Sequence, residues 1–129
     1  MKYYLSTIIK NSRIEEVEPL VVARLKEEGF GIITEMDVKA TLKNKIDVDF
    51  RPYKILGACN PQFAYKALSK ADKVGVMLPC NVCLQQHGEN DVEVFAINPL
   101  VAMQAINSPE VEELGKEVYT SLKTVIDSL

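Results

Sequence analysis

The chain has 129 residues, of which 47% are hydrophobic and 26% are charged, and its formal net charge is −3. This composition excludes general disorder and predicts one folded domain over residues 1–129. No basic stripe, secretory leader or apolar run of membrane-spanning length is present, so we expect neither a nucleic-acid partner nor a membrane partner. The count of three Cys is odd, and a chain that builds its own core needs no disulfides; we expect free thiols in the cytoplasm.

The N-terminal segment predicts a strand followed by a long helix. The run KYYLSTIIK is rich in β-branched and aromatic residues, as strands are. Ser12 and Glu15 then have the spacing of a capping box, apolar residues recur at helical spacing, and Gly29 ends the helix. Pro19 predicts a kink or a second helix start within this segment.

The middle of the chain predicts two more strands, each followed by a helix. The run FGIITEMD predicts a strand, and Asp37 caps a short helix over VKATLKNKI. The apolar run YKILGAC predicts a buried strand that ends at Cys59. Asn60 and Pro61 then occupy the N-cap and the first position of a helix. The predicted inward face of this helix consists of Phe63, Ala64, Ala67 and Leu68.

Two strands and two helices are predicted in the remainder. KVGVMLPCNVCLQQ predicts a strand that is apolar on both faces, and the turn HGEND leads into a last strand, VEVFAIN. Asn98–Pro99 and Ser108–Pro109 repeat the arrangement of a capping residue before Pro. The C-terminal helix has its apolar residues on one side, at steps of three and four.

Five strands and two long helices predict an α+β, two-layer sandwich, in which a mainly antiparallel sheet is covered by helices on one face. The strands are apolar enough that a water-covered second face is costly. A second copy of the chain is the commonest cover for such a face, so we expect a homodimer.

Three stretches carry a resemblance to a known family: GFGIITEMDVKATLKNK, VDFRPYKILGACNPQFAYKAL and GVMLPCNV. They resemble the bacterial and archaeal family called domain of unknown function 302, and the resemblance extends over nearly the whole chain. It implies a two-layer α+β fold similar to the TATA-box-binding-protein-like arrangement. It implies little about activity, because the family is defined by sequence and not by a reaction. Family motifs of the kind CNP and LPC correspond here to Cys59–Pro61 and Leu78–Cys80, whereas Cys83 lies outside this pattern.

Cys59 has two interpretations. It precedes a helix whose first amides point outward, and such amides stabilise a thiolate and lower its pKa. Alternatively, Cys59 is a small core residue at the end of a buried strand, which is the more frequent role of a free Cys.

Cys80 and Cys83 form a C-x-x-C sequence, which is typical of redox and zinc sites. Side chains three residues apart on a strand point to opposite faces, so only a bulge near Pro79 would bring these two sulfurs together. A structural zinc needs four ligands, and His87 is the only His to accompany three Cys. We therefore predict no metal site.

Cys59 and Cys80 are the more informative pair. The connection between their strands is long enough for a helical crossover, so parallel neighbours would place both thiols at one end of the sheet. In an antiparallel pairing, we expect Cys80 to lie far along its strand. The sequence leaves both arrangements open.

Polar residues near these thiols also have alternative roles. Asn60 is explained as an N-cap, whereas Asn81 lies within an apolar strand, where a buried amide either ties a loop to the sheet or binds a ligand. Arg51, Tyr53 and Lys54 form either an anion pocket or a solvated face.

Three functions remain possible, and the candidate ligand-binding residues are Cys59, Asn60, Cys80 and Asn81. No catalytic constellation is visible, which favours a non-catalytic module that binds a small-molecule ligand or a partner. One alternative is a thiol-based redox or persulfide-handling protein that uses Cys59 and Cys80. The other is a metal or cofactor binder, for which the sequence identifies no cofactor.

Overall fold

A computed structural model describes all 129 residues. The strands are β1 (Tyr4–Ile9), β2 (Gly31–Asp37), β3 (Tyr53–Cys59), β4 (Cys80–His87) and β5 (Asp91–Ile97). The helices are α1 (Ile14–Glu27), α2 (Val38–Ile46), α3 (Pro61–Lys70), α4 (Pro99–Gln104) and α5 (Pro109–Asp127). None of these helices combines the length and the hydropathy that a membrane span requires.

The strands form one five-stranded sheet in the order β1-β5-β4-β3-β2, and every neighbouring pair is antiparallel. The predicted α+β fold with an antiparallel sheet and helices on one side is confirmed. The parallel arrangement of β3 and β4 is wrong. β3 ends and β4 begins at the same end of the sheet. The connection between them consists of α3 and the 3-10 helix Asp72–Met77.

The main core lies between the sheet and the helices α1 and α5. Alternate strand residues point toward these helices, as a half-covered sheet requires. Its most completely buried side chains include Val21, Leu25, Leu56, Val82, Leu84, Val94, Leu122 and Val125. The other side of the sheet, which we call the open face, carries Met36, Ile55, Cys83, Phe95 and Ser6 in one row across the five strands.

The start of α1 differs from the prediction. The Ser12 N–H donates to the Asn90 carbonyl at 2.7 Å, and the Ser12 hydroxyl donates to the Lys10 carbonyl at 3.0 Å. Ser12 is therefore tied to the β4–β5 hairpin, and Arg13 occupies the N-cap without a side-chain hydrogen bond. The capping box is wrong. The helix continues through Pro19 as one element, so the second start is also wrong.

The end of α1 agrees with the prediction. Gly29 has a φ of +86°, a left-handed conformation that glycine adopts without a Cβ penalty. Its N–H donates to the Lys26 carbonyl, and the Phe30 N–H donates to the Leu25 carbonyl at 2.9 Å. These two bonds form a Schellman motif, which turns the chain into β2.

The predicted fourth strand is too long at its N-terminal end. Residues 72–77 form the 3-10 helix, with Val74 buried and Val76 exposed, and β4 begins only at Cys80. A short apolar run does not distinguish a strand from a buried helical turn. Pro79 has no N–H to donate to the sheet, which explains why regular pairing starts after it.

Candidate functional site

A cavity of about 260 Å³ lies between α3, α4, the N-terminal half of α5 and the adjoining ends of β3 and β4. We call it the α3–α5 cavity. Its walls are almost entirely apolar, and no Asp, Glu, Lys, Arg or His side chain lines it. Concave apolar sites with a few polar groups are typical of small-molecule binding sites.

Small side chains create the empty volume. Ala58 on β3, Ala64 and Ala67 on α3 and Gly115 on α5 all line the cavity. Larger residues at these positions would fill the space between the two helices and the sheet. Gly115 also lets α5 approach α4 closely, since a Cβ there would lie only 3.2 Å from the Met103 Cγ atom.

Three of the four predicted binding residues line this cavity. They are Cys59 at the end of β3, Asn60 at the start of α3 and Cys80 at the start of β4. The fourth, Asn81, does not line it and is exposed. Because β4 begins with Cys80 pointing to the helix side, the next residue points to the open face; the expectation that Asn81 is buried is wrong.

The register of the antiparallel pair places Cys59 and Cys80 at the same end of the sheet. Ala58 lies opposite Cys80, so Cys59 is one residue from the strand position that faces Cys80. The expectation that antiparallel pairing separates them is wrong, because β4 begins where β3 ends. Burial and the neighbouring Cys59 together raise the pKa of Cys80 to about 11. Cys80 is therefore a neutral thiol at physiological pH.

Asn60 is the N-cap of α3, as predicted. Its Oδ1 accepts hydrogen bonds from the N–H groups of Gln62 at 3.2 Å and Phe63 at 3.4 Å, while the Ala64 N–H donates to the Asn60 carbonyl. Pro61 has no N–H. All first-turn N–H groups of α3 thus donate to Asn60, and none is left free to donate to the Cys59 sulfur.

Cys80 and Cys83 lie on opposite faces of β4, as strand geometry predicts. Cys80 is buried on the helix side, whereas Cys83 is half-buried on the open face between Ile55 and Phe95. Burial raises the pKa of Cys83 to about 11. No group of three or more His, Cys, Asp or Glu side chains is arranged to hold a metal ion, and none of the three Cys forms a disulfide.

The predicted cluster of Arg51, Tyr53 and Lys54 is divided between the two faces of the sheet. Lys54 lies on the helix side, where its Nζ contacts Glu18 at 2.7 Å and also contacts Glu35. The Arg51 guanidinium instead stacks on Phe50, 4.4 Å from the ring centroid. Alternation along β3 separates Lys54 from Tyr53, so these residues form no common anion pocket.

A polar network on the open face was not predicted from the sequence. Glu93 accepts hydrogen bonds from Ser6 and from Gln85, and it pairs with His87 at 2.8 Å. Burial opposes ionisation of Glu93, but these three hydrogen bonds outweigh it and lower its pKa. The four residues of this network come from three strands, and strand pairing is not visible in a single sequence.

Sequence reasoning also missed the part of the cavity wall that α4 and α5 contribute. Met103, Leu114 and Gly115 line the cavity from segments about 50 residues away from Cys59. One signal was present: a glycine within an otherwise regular amphipathic helix usually has a packing reason.

Comparison with known proteins places this chain in a family. The model of the family described as domain of unknown function DUF302 matches residues 6–129. The chain belongs to this family. A crystal structure of an uncharacterized conserved DUF302 protein from Bacillus stearothermophilus is 26% identical, with a TM-score of 0.90 over 98% of both chains. Among curated proteins, none is similar in sequence to this DUF302 chain.

Proposed function

We propose that this protein is a non-catalytic binding module that holds a small, mainly apolar molecule in the α3–α5 cavity. The observation that carries the proposal is the cavity itself, about 260 Å³ in volume and lined by Cys59, Asn60 and Cys80 among apolar side chains. An apolar cavity of roughly 150 Å³ accommodates benzene, so this one has room for roughly ten non-hydrogen atoms.

The protonation state of Cys80 supports binding over a thiol reaction at this residue. A redox or persulfide-handling mechanism needs a thiolate at neutral pH. Burial and the neighbouring Cys59 keep Cys80 protonated by raising its pKa to about 11. A neutral thiol contributes apolar surface and a weak hydrogen-bond donor, which suits a binding wall. Because none of the three Cys is paired, we also propose that the protein works in the reducing cytoplasm.

The test is an NMR titration of the ¹⁵N-labelled protein with naphthalene, a probe of about ten non-hydrogen atoms. We expect saturable shifts confined to α3, α4, the N-terminal half of α5 and the ends of β3 and β4. Ala64→Leu fills the cavity and should weaken binding at least tenfold. Ala40→Leu is the matched control, because Ala40 is exposed on α2 and α2 contributes no residue to the cavity wall.

Two results would contradict this function. Shifts that do not saturate, or that scatter over the surface, would mean that no defined site exists. Equal affinities of the Ala64→Leu and Ala40→Leu variants would place the binding site elsewhere.

We also propose that the open face pairs with a second copy of the chain. Its central row contains Met36, Ile55, Cys83 and Phe95, which lie outside the main core. Five strands of about seven residues give a face of roughly 500 Å². Two copies would bury roughly 1,000 Å², which reaches the lower limit of a specific interface.

Sedimentation velocity tests the dimer. We expect the mass of two chains for the wild type and of one chain for Ile55→Lys, which places a charge in the apolar row. Ile46→Lys is the control, because Ile46 is 64% exposed on α2, outside the open face. A monomeric wild type, or an Ile55→Lys variant that remains dimeric, would contradict the proposal.

A further inference from the structure

The polar groups of the α3–α5 cavity restrict the chemistry of its ligand. Apart from the thiols of Cys59 and Cys80, the wall carries one polar side chain, the amide of Asn60, and no charged group. An ionised ligand would leave water without a counter-charge in the wall, which is costly in an apolar site. The wall therefore favours an uncharged ligand.

The orientation of the Asn60 amide is fixed by the helix that it caps. Its Oδ1 accepts two backbone N–H groups at the start of α3, so the amide cannot be turned around without losing both bonds. Its Nδ2 lies on the other side, against the left-handed Gly29, where a Cβ atom would come within 2.9 Å. The end of α1 thus holds the amide in place.

The Nδ2 group of Asn60 is a free hydrogen-bond donor. No hydrogen bond within the protein uses this atom, whereas the Oδ1 atom of the same amide has two partners. No fully buried side-chain nitrogen or oxygen in the protein lacks a hydrogen-bond partner. The unpaired Nδ2 atom is therefore not fully buried and retains accessible surface. Asn60 lines the cavity, and no other side chain in the wall carries an N–H group.

We infer that the ligand is an uncharged molecule with an apolar body and one hydrogen-bond acceptor, such as a ketone or ester carbonyl, which accepts from the Asn60 Nδ2 group. This inference rests on the proposed function and adds the class of ligand. The apolar walls receive the body, and the amide fixes its orientation. Cys59 and Cys80 remain neutral walls, and no covalent step is involved.

Three probes of about ten non-hydrogen atoms test the inference: tetralin, 1-indanone and phenylacetate. They share an aromatic body and differ in having no acceptor, a carbonyl or a carboxylate. In NMR titrations of the full chain, we expect 1-indanone to bind about fivefold tighter than tetralin, which is the contribution of one net hydrogen bond. Phenylacetate should bind at least tenfold more weakly than 1-indanone, and 1-indanone should shift the Asn60 side-chain amide protons further downfield than tetralin does.

Two variants separate the donor from the cap. Asn60→Ser and Asn60→Asp both retain an N-cap oxygen but lose the Nδ2 donor, and the Ser hydroxyl is one bond too short to replace it. In Asn60→Ser, the ratio of the affinities for 1-indanone and tetralin should fall to about onefold. In Asn60→Asp, the added carboxylate should make 1-indanone the weaker of the two ligands.

The outcomes distinguish this inference from the function on which it rests. If tetralin and 1-indanone bind the wild type equally, or if Asn60→Ser keeps the preference, the cavity binds ligands but Asn60 does not select them. Phenylacetate binding as tightly as 1-indanone would overturn the requirement for an uncharged ligand. If no probe binds, the proposed function itself fails.

Discussion

The two halves of α5 contact the rest of the molecule in different ways. In the C-terminal half, Leu122, Val125 and Ile126 are part of the main core and are at least 96% buried. In the N-terminal half, Leu114 and Gly115 face the α3–α5 cavity. The same apolar stripe of one helix therefore supports a close-packed core at one end and a partly empty space at the other.

The two halves of this amphipathic helix therefore have different roles: one stabilises the fold, and the other borders the proposed binding site. Close packing of branched side chains stabilises the fold, whereas the small residues of α3 and β3 leave volume that a guest can occupy. Val118 lines the cavity and also belongs to the main core. The change from cavity wall to close-packed core therefore occurs within one helical turn of Val118. The periodicity of α5 predicts the buried side of the helix and does not reveal which half meets a cavity.

The largest expected effect is on stability, and it contrasts the two halves directly. Leu122→Ala removes a fully buried side chain and should lower the free energy of unfolding by about 2–5 kcal/mol. Leu114 is partly exposed and borders space that is already empty. Leu114→Ala should therefore lower the free energy of unfolding by about 1 kcal/mol or less. Urea denaturation of both variants measures the two costs. Equal losses would mean that the N-terminal half is as closely packed as the C-terminal half.

Thiol reactivity sharpens the comparison at the cavity wall. With its pKa raised to about 11, Cys80 has roughly 300-fold less thiolate at pH 7.5 than a free thiol. The greater nucleophilicity of a basic thiolate offsets part of this loss, so iodoacetamide should react about 20-fold to 30-fold more slowly. The rate should rise about tenfold per pH unit until the pH approaches 11.

Cys83 provides the control for this measurement, because burial raises its pKa to about 11 as well, on the other face of the sheet. Mass spectrometry of digested, alkylated protein measures both rates separately. Addition of naphthalene should slow the alkylation of Cys80 and leave that of Cys83 unchanged. A rate at Cys80 equal to that of a free thiol at pH 7.5 would revive the redox interpretation.

Much of the local structure was predictable, because its causes lie within a few residues. Asp37, Asn60, Asn98 and Ser108 each accept a hydrogen bond from the first turn of the helix that they precede. Residues 53–59 form the buried strand that their apolar run predicts, and Gly29 ends α1. These features follow from turn and cap chemistry, which a single sequence displays.

The errors have tertiary causes. Asn81 was placed in the wrong environment because the first residue of β4 determines which side chains face the helices. Ser12 lost its capping role to a hydrogen bond with Asn90, which is distant in sequence. Leu68 was predicted on the inward face of α3 and is 43% exposed, since the 3-10 helix covers that side only in part. The cavity itself depends on packing between α3 and α5, and no local pattern reports it.

A smaller effect is expected at the N-cap beside the cavity. Asn60→Ala removes the acceptor for two backbone N–H groups and should lower the free energy of unfolding by about 1 kcal/mol. Asn60→Asp retains a capping oxygen and should lower the free energy of unfolding by only about 0.3 kcal/mol. Thermal or urea denaturation at neutral pH separates the two variants. Equal destabilisation by both would show that the cap contributes little.

The smallest effect concerns the open face, which lies outside both halves of α5. Because hydrogen bonds lower the pKa of Glu93 in the folded chain, its carboxylate stabilises the fold above its unfolded pKa. This contribution should be lost as the pH falls through the lower, folded pKa. Glu93→Gln should therefore cost under about 1 kcal/mol at pH 7 and flatten the loss of stability as the pH falls below the unfolded pKa of this carboxyl. An unchanged acid limb in urea denaturation would contradict this role.

The central claim is that the space beside the N-terminal half of α5 is a real, accessible cavity. A crystal structure determined under xenon pressure tests it most directly, because xenon enters apolar cavities without needing a specific contact. We predict xenon between Cys80, Met103 and Leu114, and none between the sheet and Leu122. Side chains that close the space around Met103, with no xenon beside Cys80, would contradict the account.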